Sequence, residues 1–177
     1  RLDAIGGSTR VGHGEAFVAE ACEFNRSFLR MKPTVALVLN IDADHLDCYK
    51  DINEIEETFG QFLRLLPADG IAIGNGDDIR VRRQIEKLSC RKVFFGFDRR
   101  NDWYPANQTE DERGYFSFDL MRGEEKKARV KMGVPGAFNV MNALGAIAAA
   151  EELRAPVMLQ TTPSTIRYAS LDMFAAM

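Results

Sequence analysis

The chain has 177 residues, of which 46% are hydrophobic and 28% are charged, and its formal net charge is -3. This composition is typical of a soluble globular protein. Such a small charge gives no overall field to attract nucleic acid or an anionic membrane. No apolar run approaches the roughly 20 residues of a membrane-spanning helix. Three cysteines without a CxxC pair argue against a disulfide framework and a structural zinc site, and they favour a reducing, cytoplasmic setting.

The first segment is rich in glycine and precedes the first predicted strand. GGSTRVGHG (residues 6–14) is not a phosphate-binding loop of the GxxxxGK[ST] type, which is absent from the whole chain. We therefore predict a turn or a loop on the substrate side. Because the chain begins on Arg1 rather than on an initiator methionine, we also expect it to be part of a longer protein.

Two apolar runs predict strands that are buried on both faces. EAFVAE (residues 15–20) and TVALVLNI (residues 34–41) contain β-branched residues and little alternation, which favours a parallel sheet. The segment between them, residues 21–32, is compact and could form a short helix or a helical turn.

A helix is predicted next, since Asp51 and Glu54 fit a capping box and apolar residues follow at steps of three and four. Pro67 and Gly70 end it. A strand within residues 70–78, a weaker helix at 78–88 and a strand at 92–97 follow. This alternation predicts an α/β fold with a mostly parallel, doubly wound sheet.

The pattern changes after residue 97. Residues 99–113 are polar and predict a loop. Residues 116–120 and 130–134 alternate between apolar and polar and flank RGEEKK, which predicts a small antiparallel hairpin. Residues 138–148 have helical spacing. Residues 155–177 stay unassigned, although TTPSTIRYASL could form a cap and a short helix.

The densest group of candidate site residues is NIDADHLD (residues 40–47), which follows a predicted strand. Ligands bind beyond the carboxyl ends of strands in open α/β sheets, and carboxylates and imidazole can hold a divalent cation. Aspartates also favour turns, because their side chains bind nearby backbone N–H groups. The residues alone leave both interpretations open. Simpler roles are favoured for three other candidates when each is taken by itself. Glu20 would be a solvated carboxylate at a strand end, Asn139 a helix cap and Asn142 an exposed amide.

Taken together, the motifs resemble the Mur ligases, ATP-dependent enzymes of peptidoglycan synthesis. The similar stretches are VAEACEFNRSF, TVALVLNIDADHLDCY, the helix with its LPADG exit, and GAFNVMNALGAIAAA. Their order resembles the central, ATP-binding domain of the family, which is P-loop-NTPase-like. The resemblance implies an incomplete central domain over residues 1–154. EACEFNRSF is similar to the acidic EAxE pattern of the members that join L-alanine to UDP-N-acetylmuramate.

The resemblance also implies roles for particular residues, with ATP and Mg²⁺ as cofactors. Glu20 aligns with a magnesium ligand of the family and His45 with a ligand of a second magnesium ion; both are implied catalytic residues. Asn142, with Asn139 beside it, aligns with the adenine-recognising position, and Asn40 lies in the His45 motif as a supporting residue. The family makes an acyl phosphate from ATP and the substrate carboxylate, which the amine of L-alanine then attacks.

Two departures from the family pattern leave alternatives open. The phosphate-binding GxxGK[ST] loop is absent, and Phe138 stands where the family often has histidine, which leaves a stacking or packing role open for Phe138. The missing loop leaves a non-catalytic remnant or binding module of the same fold as one alternative. A related murein peptide recycling ligase is another, because EACEFN does not fully exclude it. In each case we expect a bacterial, cytoplasmic protein without nucleic-acid partners or membrane insertion.

We predict that the isolated 177-residue chain does not catalyse ligation, because phosphoryl transfer requires positioned phosphates and no loop of the required type is present. The measurement is phosphate release with UDP-N-acetylmuramate, L-alanine and Mg²⁺-ATP. Robust turnover by the isolated chain would contradict this expectation.

Overall fold

The computed structural model describes residues 11, 16–154, 160–162 and 165–167. None of the helices in this part of the chain is long and apolar enough to cross a membrane. The elements are a 3-10 segment at Phe24–Arg30, followed by β1 Val35–Val38, α1 Ile52–Leu63, β2 Ile71–Asn75, α2 Ile79–Glu86, β3 Arg91–Phe95, β4 Trp103–Glu110, β5 Tyr115–Arg122, β6 Glu125–Pro135, α3 Ala137–Glu152, β7 Gln160–Thr162 and β8 Thr165–Arg167.

The strands form one sheet in the order β1-β2-β3-β4-β5-β6-β8-β7. β1, β2 and β3 are parallel neighbours, and β4 joins them in parallel through a single pair, Phe95 with Trp103. β4, β5 and β6 are antiparallel. The predicted α/β class, with a parallel part and an antiparallel hairpin, is confirmed.

Helices cover both faces of the parallel strands, as predicted for a doubly wound sheet. Successive side chains of a strand point to opposite faces. Ala36 and Val38 accordingly belong to the core formed with α1 and α2. Val35 and Leu37 pack against the other core, which α3 covers. Burial on both faces explains why TVALVL is apolar throughout rather than alternating.

Both crossover helices begin at an aspartate. Asp51 accepts hydrogen bonds from the N–H groups of Asn53 and Glu54, as predicted, but Glu54 reaches back to the N–H of Lys50 rather than to that of Asp51. Asp78 caps α2 in the same way. Its second oxygen also accepts a hydrogen bond from the N–H of Ile41, with an N–O distance of 3.2 Å. One carboxylate therefore joins the start of α2 to the chain that leaves β1.

α3 runs antiparallel to β3. Gly145 packs directly against Phe95, at the end of β3, and against Leu39, leaving no room for a Cβ atom. One end of the helix is fixed by Glu152, which pairs with Arg91 at the start of β3 at 2.9 Å. The first turns of α3 consequently lie toward the carboxyl edge of the parallel strands.

Two predictions for the N-terminal and C-terminal parts were wrong. The described residues of the predicted strand 15–20, which are 16–20, form no strand and are exposed. An apolar run becomes a strand only where a neighbour pairs with its backbone groups, and none of the described residues does so here. In the unassigned tail, the described residues form β7 and β8 rather than a helix, and β8 pairs with β6. The remaining tail residues lie outside the described residues, as do residues 1–10 and 12–15, which include most of the GGSTRVGHG segment.

The predicted loop at residues 99–113 was also wrong, because it contains β4. Only the first part of β4 is buried, and the rest is exposed. Its sequence is therefore mostly polar and does not show the apolar pattern from which a strand is predicted. Pro105 lacks an N–H group. It is tolerated because β4 pairs with β3 only at Trp103, which precedes Pro105, so no N–H group is needed toward β3 at this position. The predicted hairpin is therefore a three-stranded antiparallel unit.

We predict that Asp78→Ala lowers the free energy of unfolding by about 1–2 kcal/mol, because it removes a helix cap and the acceptor of the Ile41 N–H group. Urea denaturation measures this change. Asp78→Asn is the matched control, since its amide oxygen can still cap the helix, and it should lose less. An equal loss in both variants would show that the charge rather than the cap matters.

A second stability prediction concerns Asp119 in β5. Hydrogen bonds from Asn107, Lys126 and Arg129 lower the pKa of Asp119 to about 2 from 3.8. A carboxyl whose pKa is lowered by folding stabilises the protein above its unfolded pKa, and this contribution is lost as pH falls toward the folded pKa. The wild type should therefore lose stability relative to Asp119→Asn between about pH 4 and pH 2.

Urea denaturation across this pH range measures the effect. Asp69→Asn is the control, because Asp69 is exposed and forms no ion pair among the described residues. Parallel curves for the wild type and Asp119→Asn would contradict the prediction.

Candidate functional site

NIDADHLD lies where the sequence placed it, directly after β1. Ile41 is fully buried and anchors the segment, while Asn40 and Asp44 are exposed. Part of its polarity is turn chemistry. Asn40 donates to the carboxylate of Asp42 at 2.8 Å, and Asp44 accepts from the N–H of His45 at 2.8 Å. The turn interpretation therefore accounts for these residues, but not for the imidazole of His45.

His45 is held in a fixed orientation. Its backbone has a φ of 53°, in the left-handed region that is uncommon for residues other than glycine. Its carbonyl accepts hydrogen bonds from the N–H groups of Cys48 and Tyr49, at 2.8 and 3.1 Å. The ring of Phe24 packs edge-on against the imidazole, with a centroid distance of 5.4 Å. Among the described residues, His45 Nε2 is buried and has no hydrogen-bond partner.

The carboxylate that faces His45 is that of Glu23. Glu23 Oε1 lies 3.5 Å from His45 Nε2, and the two side chains are 14% and 22% exposed. The two atoms are close enough for an ion pair, but no hydrogen bond forms between them. The Glu23 carbonyl accepts from the Tyr49 hydroxyl at 2.5 Å and from the Arg26 N–H at 2.8 Å. Burial raises the pKa of Tyr49, despite the nearby Arg26 guanidinium, and this keeps the phenol protonated as a donor.

Glu20 is placed differently from the expectation that it would meet His45. It is exposed, lies outside any strand, and has no described hydrogen bond or ion pair with His45. Its role as a metal ligand stays a prediction.

The two candidate asparagines at the start of α3 lie toward the same carboxyl edge as His45. Asn139 donates from its side chain to the Pro135 carbonyl at 2.7 Å, and it does not cap the helix. Asn142 lies three residues further on, on the same helix face. Phe138 beside them is 69% exposed, so the packing role left open for it is not observed. The assignment of both asparagines to adenine recognition stays a prediction.

Glu23, although it lies within EACEFNRSF, and Tyr49 are not among the site residues predicted from the sequence. The EAxE pattern contains a second carboxylate, and this was the signal that could have identified Glu23. Tyr49 gave no signal, because a buried tyrosine after a turn is common in cores. Only the tertiary fold brings the 3-10 segment against the NIDADHLD turn.

The residues present fit a divalent cation. No group of three or more His, Cys, Asp or Glu side chains suited to a metal occurs among the described residues. Mg²⁺ does not require one, because it commonly takes one or two carboxylates together with phosphate oxygens and waters. The buried His45 Nε2, which has no hydrogen-bond partner among the described residues, and the facing Glu23 Oε1 are two donor atoms of the kind that such an ion can use.

We predict that Tyr49→Phe lowers the free energy of unfolding by about 1 kcal/mol, because the Glu23 carbonyl loses a hydrogen bond. The His45 and Phe24 ring resonances in NMR spectra should broaden or shift, since the two segments are no longer held together. Tyr115→Phe is the control, because its hydroxyl forms no hydrogen bond among the described residues. Equal effects of both variants would contradict a specific role for Tyr49.

Comparison with known proteins places these features in one family. A family model described as the Mur ligase middle domain matches residues 8–150. The UDP-N-acetylmuramate–L-alanine ligase of Clostridium perfringens is 48% identical over 150 residues, covering 85% of this chain and 33% of that protein. The same-named ligase of Clostridium acetobutylicum is 43% identical over 153 residues, covering 86% and 33%. The chain thus spans about a third of the length of these curated relatives.

Solved structures of Mur ligases have a similar fold. The UDP-N-acetylmuramate:L-alanyl-gamma-D-glutamyl-meso-diaminopimelate ligase of Neisseria meningitides has a TM-score of 0.60 at 28% identity, covering 71% of this chain and 37% of that one. The UDP-N-acetylmuramate–alanine ligase of Thermotoga maritima has a TM-score of 0.61 at 19% identity, over 75% and 29%, which is a likeness in fold alone. Since the family model covers most of its length, the chain belongs to the Mur ligase middle-domain family.

Proposed function

We propose that this chain forms part of the ATP-binding middle domain of a ligase that joins L-alanine to UDP-N-acetylmuramate in peptidoglycan synthesis. The observation that carries the proposal is the 48% identity, over 85% of this chain, to a relative of that name. The acidic EACE segment supports it, because it is similar to the pattern in the alanine-adding members. The site would work in the bacterial cytoplasm.

In this proposal the carboxyl edge of the sheet binds Mg²⁺-ATP. His45 and Glu20 would hold magnesium ions, Asn139 and Asn142 would contact the adenine, and Asn40 would support the His45 turn. Bound Mg²⁺ neutralises phosphate charge during transfer. The protein would position the groups that bind the nucleotide. The left-handed backbone at His45 would orient its imidazole, and the start of α3 would bring two side-chain amides to the same edge of the sheet.

A related murein peptide recycling ligase is the second candidate. It is favoured by the likeness in structure to the Neisseria ligase, whose name includes the tripeptide L-alanyl-gamma-D-glutamyl-meso-diaminopimelate. The sequence identity to the Neisseria ligase is 28%, whereas the identity to the Clostridium perfringens alanine ligase is 48%, so we prefer the alanine-adding function.

We predict that residues 8–150 of this chain, which the family model matches, can replace the corresponding segment of the Clostridium perfringens ligase with retention of L-alanine-dependent phosphate release. The family fold and the 48% identity make the segments interchangeable in the sheet core. Within this chimera, His45→Ala should lower kcat by about a hundredfold or more, because removal of a metal-ion contact leaves phosphate charge uncompensated. Arg99→Ala is the control, since Arg99 is exposed and distant in sequence from every site residue.

Solubility and the circular dichroism spectrum of the chimera are measured first, so that misfolding is separated from inactivity. A folded chimera without activity would favour the non-catalytic remnant. Full activity after His45→Ala would remove His45 from the proposed site while leaving the ligase assignment standing.

A further inference from the structure

We infer that Glu23 is a direct ligand of the cation that His45 binds, so that the ion is held between the 3-10 segment and the turn after β1. The inference rests on the proposed function, which assigns a cation to His45, and it adds a residue that neither the family resemblance nor the comparisons assign. The competing explanation is a simple ion pair between Glu23 and a protonated His45.

The distance between the two side chains is the first observation. His45 Nε2 and Glu23 Oε1 are 3.5 Å apart, and no hydrogen bond joins them. Neighbouring ligand atoms of an octahedral Mg²⁺ lie about 3 Å apart, since each Mg–ligand bond is about 2.1 Å. The observed separation is therefore that of two ligands facing one ion after a small adjustment.

The charge of Glu23 is the second observation. Its side chain is only 14% exposed, and among the described residues it forms no ion pair with lysine or arginine. Arg26, in the adjoining 3-10 segment, instead pairs with Glu54 at 2.7 Å and lies over the ring of Tyr49. A carboxylate taken largely out of water needs a positive partner. A shared cation supplies that partner and also occupies the unpaired His45 Nε2.

Tyr49 makes the pair rigid, which is the third observation. Its N–H donates to the His45 carbonyl at 3.1 Å, and its hydroxyl donates to the Glu23 carbonyl at 2.5 Å. Tyr49 itself is 3% exposed. One buried residue thus holds the backbones of both side chains at a fixed separation. Preorganised ligands of this kind lower the cost of binding.

The test is Mn²⁺ binding to the 177-residue chain, followed by electron paramagnetic resonance. Mn²⁺ bound to an imidazole shows ¹⁴N coupling in electron spin echo spectra, and loss of this coupling in His45→Gln assigns it to His45. Glu23→Gln should raise the Kd of this ion by about tenfold or more. Glu57→Gln is the control, because Glu57 is exposed on α1 and pairs with Arg64, and it should leave the coupling and the Kd at His45 unchanged. Glu23→Asp, shorter by one methylene group, serves if Glu23→Gln does not fold.

Three results would overturn the inference. An unchanged Kd in a folded Glu23→Gln or Glu23→Asp variant would leave only the ion pair. A loss in Glu20→Gln without a loss in Glu23→Gln would make Glu20 the ligand beside His45. Absence of His45 coupling in the wild-type chain would remove the cation from His45 altogether. The chimera assay still tests the ligase assignment in each case, so failure of the inference is distinguishable from failure of the proposed function.

Discussion

The close contact between α3 and the parallel strands is the constraint on which the candidate site depends. Gly145 lies directly against Phe95 and Leu39, where a Cβ atom would clash, and Glu152 pairs with Arg91 at the opposite end of β3. Together these contacts set the direction and depth of the helix. The start of α3, with Asn139 and Asn142, must then lie toward the edge at which β1 ends.

A second constraint holds the turn after β1. Ile41 is buried, and its N–H group bonds to Asp78, whose carboxylate also begins α2. Beyond it, Tyr49 ties the His45 turn to the 3-10 segment. Hydrogen bonds of the flanking backbone thereby fix the position of the imidazole, whose Nε2 has no hydrogen-bond partner among the described residues. A site built in this way keeps a ring nitrogen available for a ligand.

Periodicity predicted the regular parts of the fold because burial decides them locally. The apolar stripe of α1, the covered strands β1 to β3 and the alternation in β5 and β6 each reflect contact with a core on one or two faces. The failures share one cause. Residues 16–20 have the composition of a strand but no pairing neighbour in the part of the chain that the structure describes, and β4 has a partner but a polar sequence. Whether a segment forms a strand depends on the backbone of its neighbour, so neither outcome can be predicted from the sequence of the segment alone.

By itself, the sequence determined the α/β class, the aspartate that begins α1, the position of NIDADHLD after a buried strand and the resemblance to the Mur ligases. These follow from short-range patterns, in which a residue and its neighbours along the chain decide the outcome. Only the tertiary structure decided which carboxylate faces His45. Glu20 and Glu23 belong to the same EACE segment, and the local geometry of the 3-10 segment together with the Tyr49 hydrogen bonds brings Glu23 to 3.5 Å from the imidazole while Glu20 is exposed.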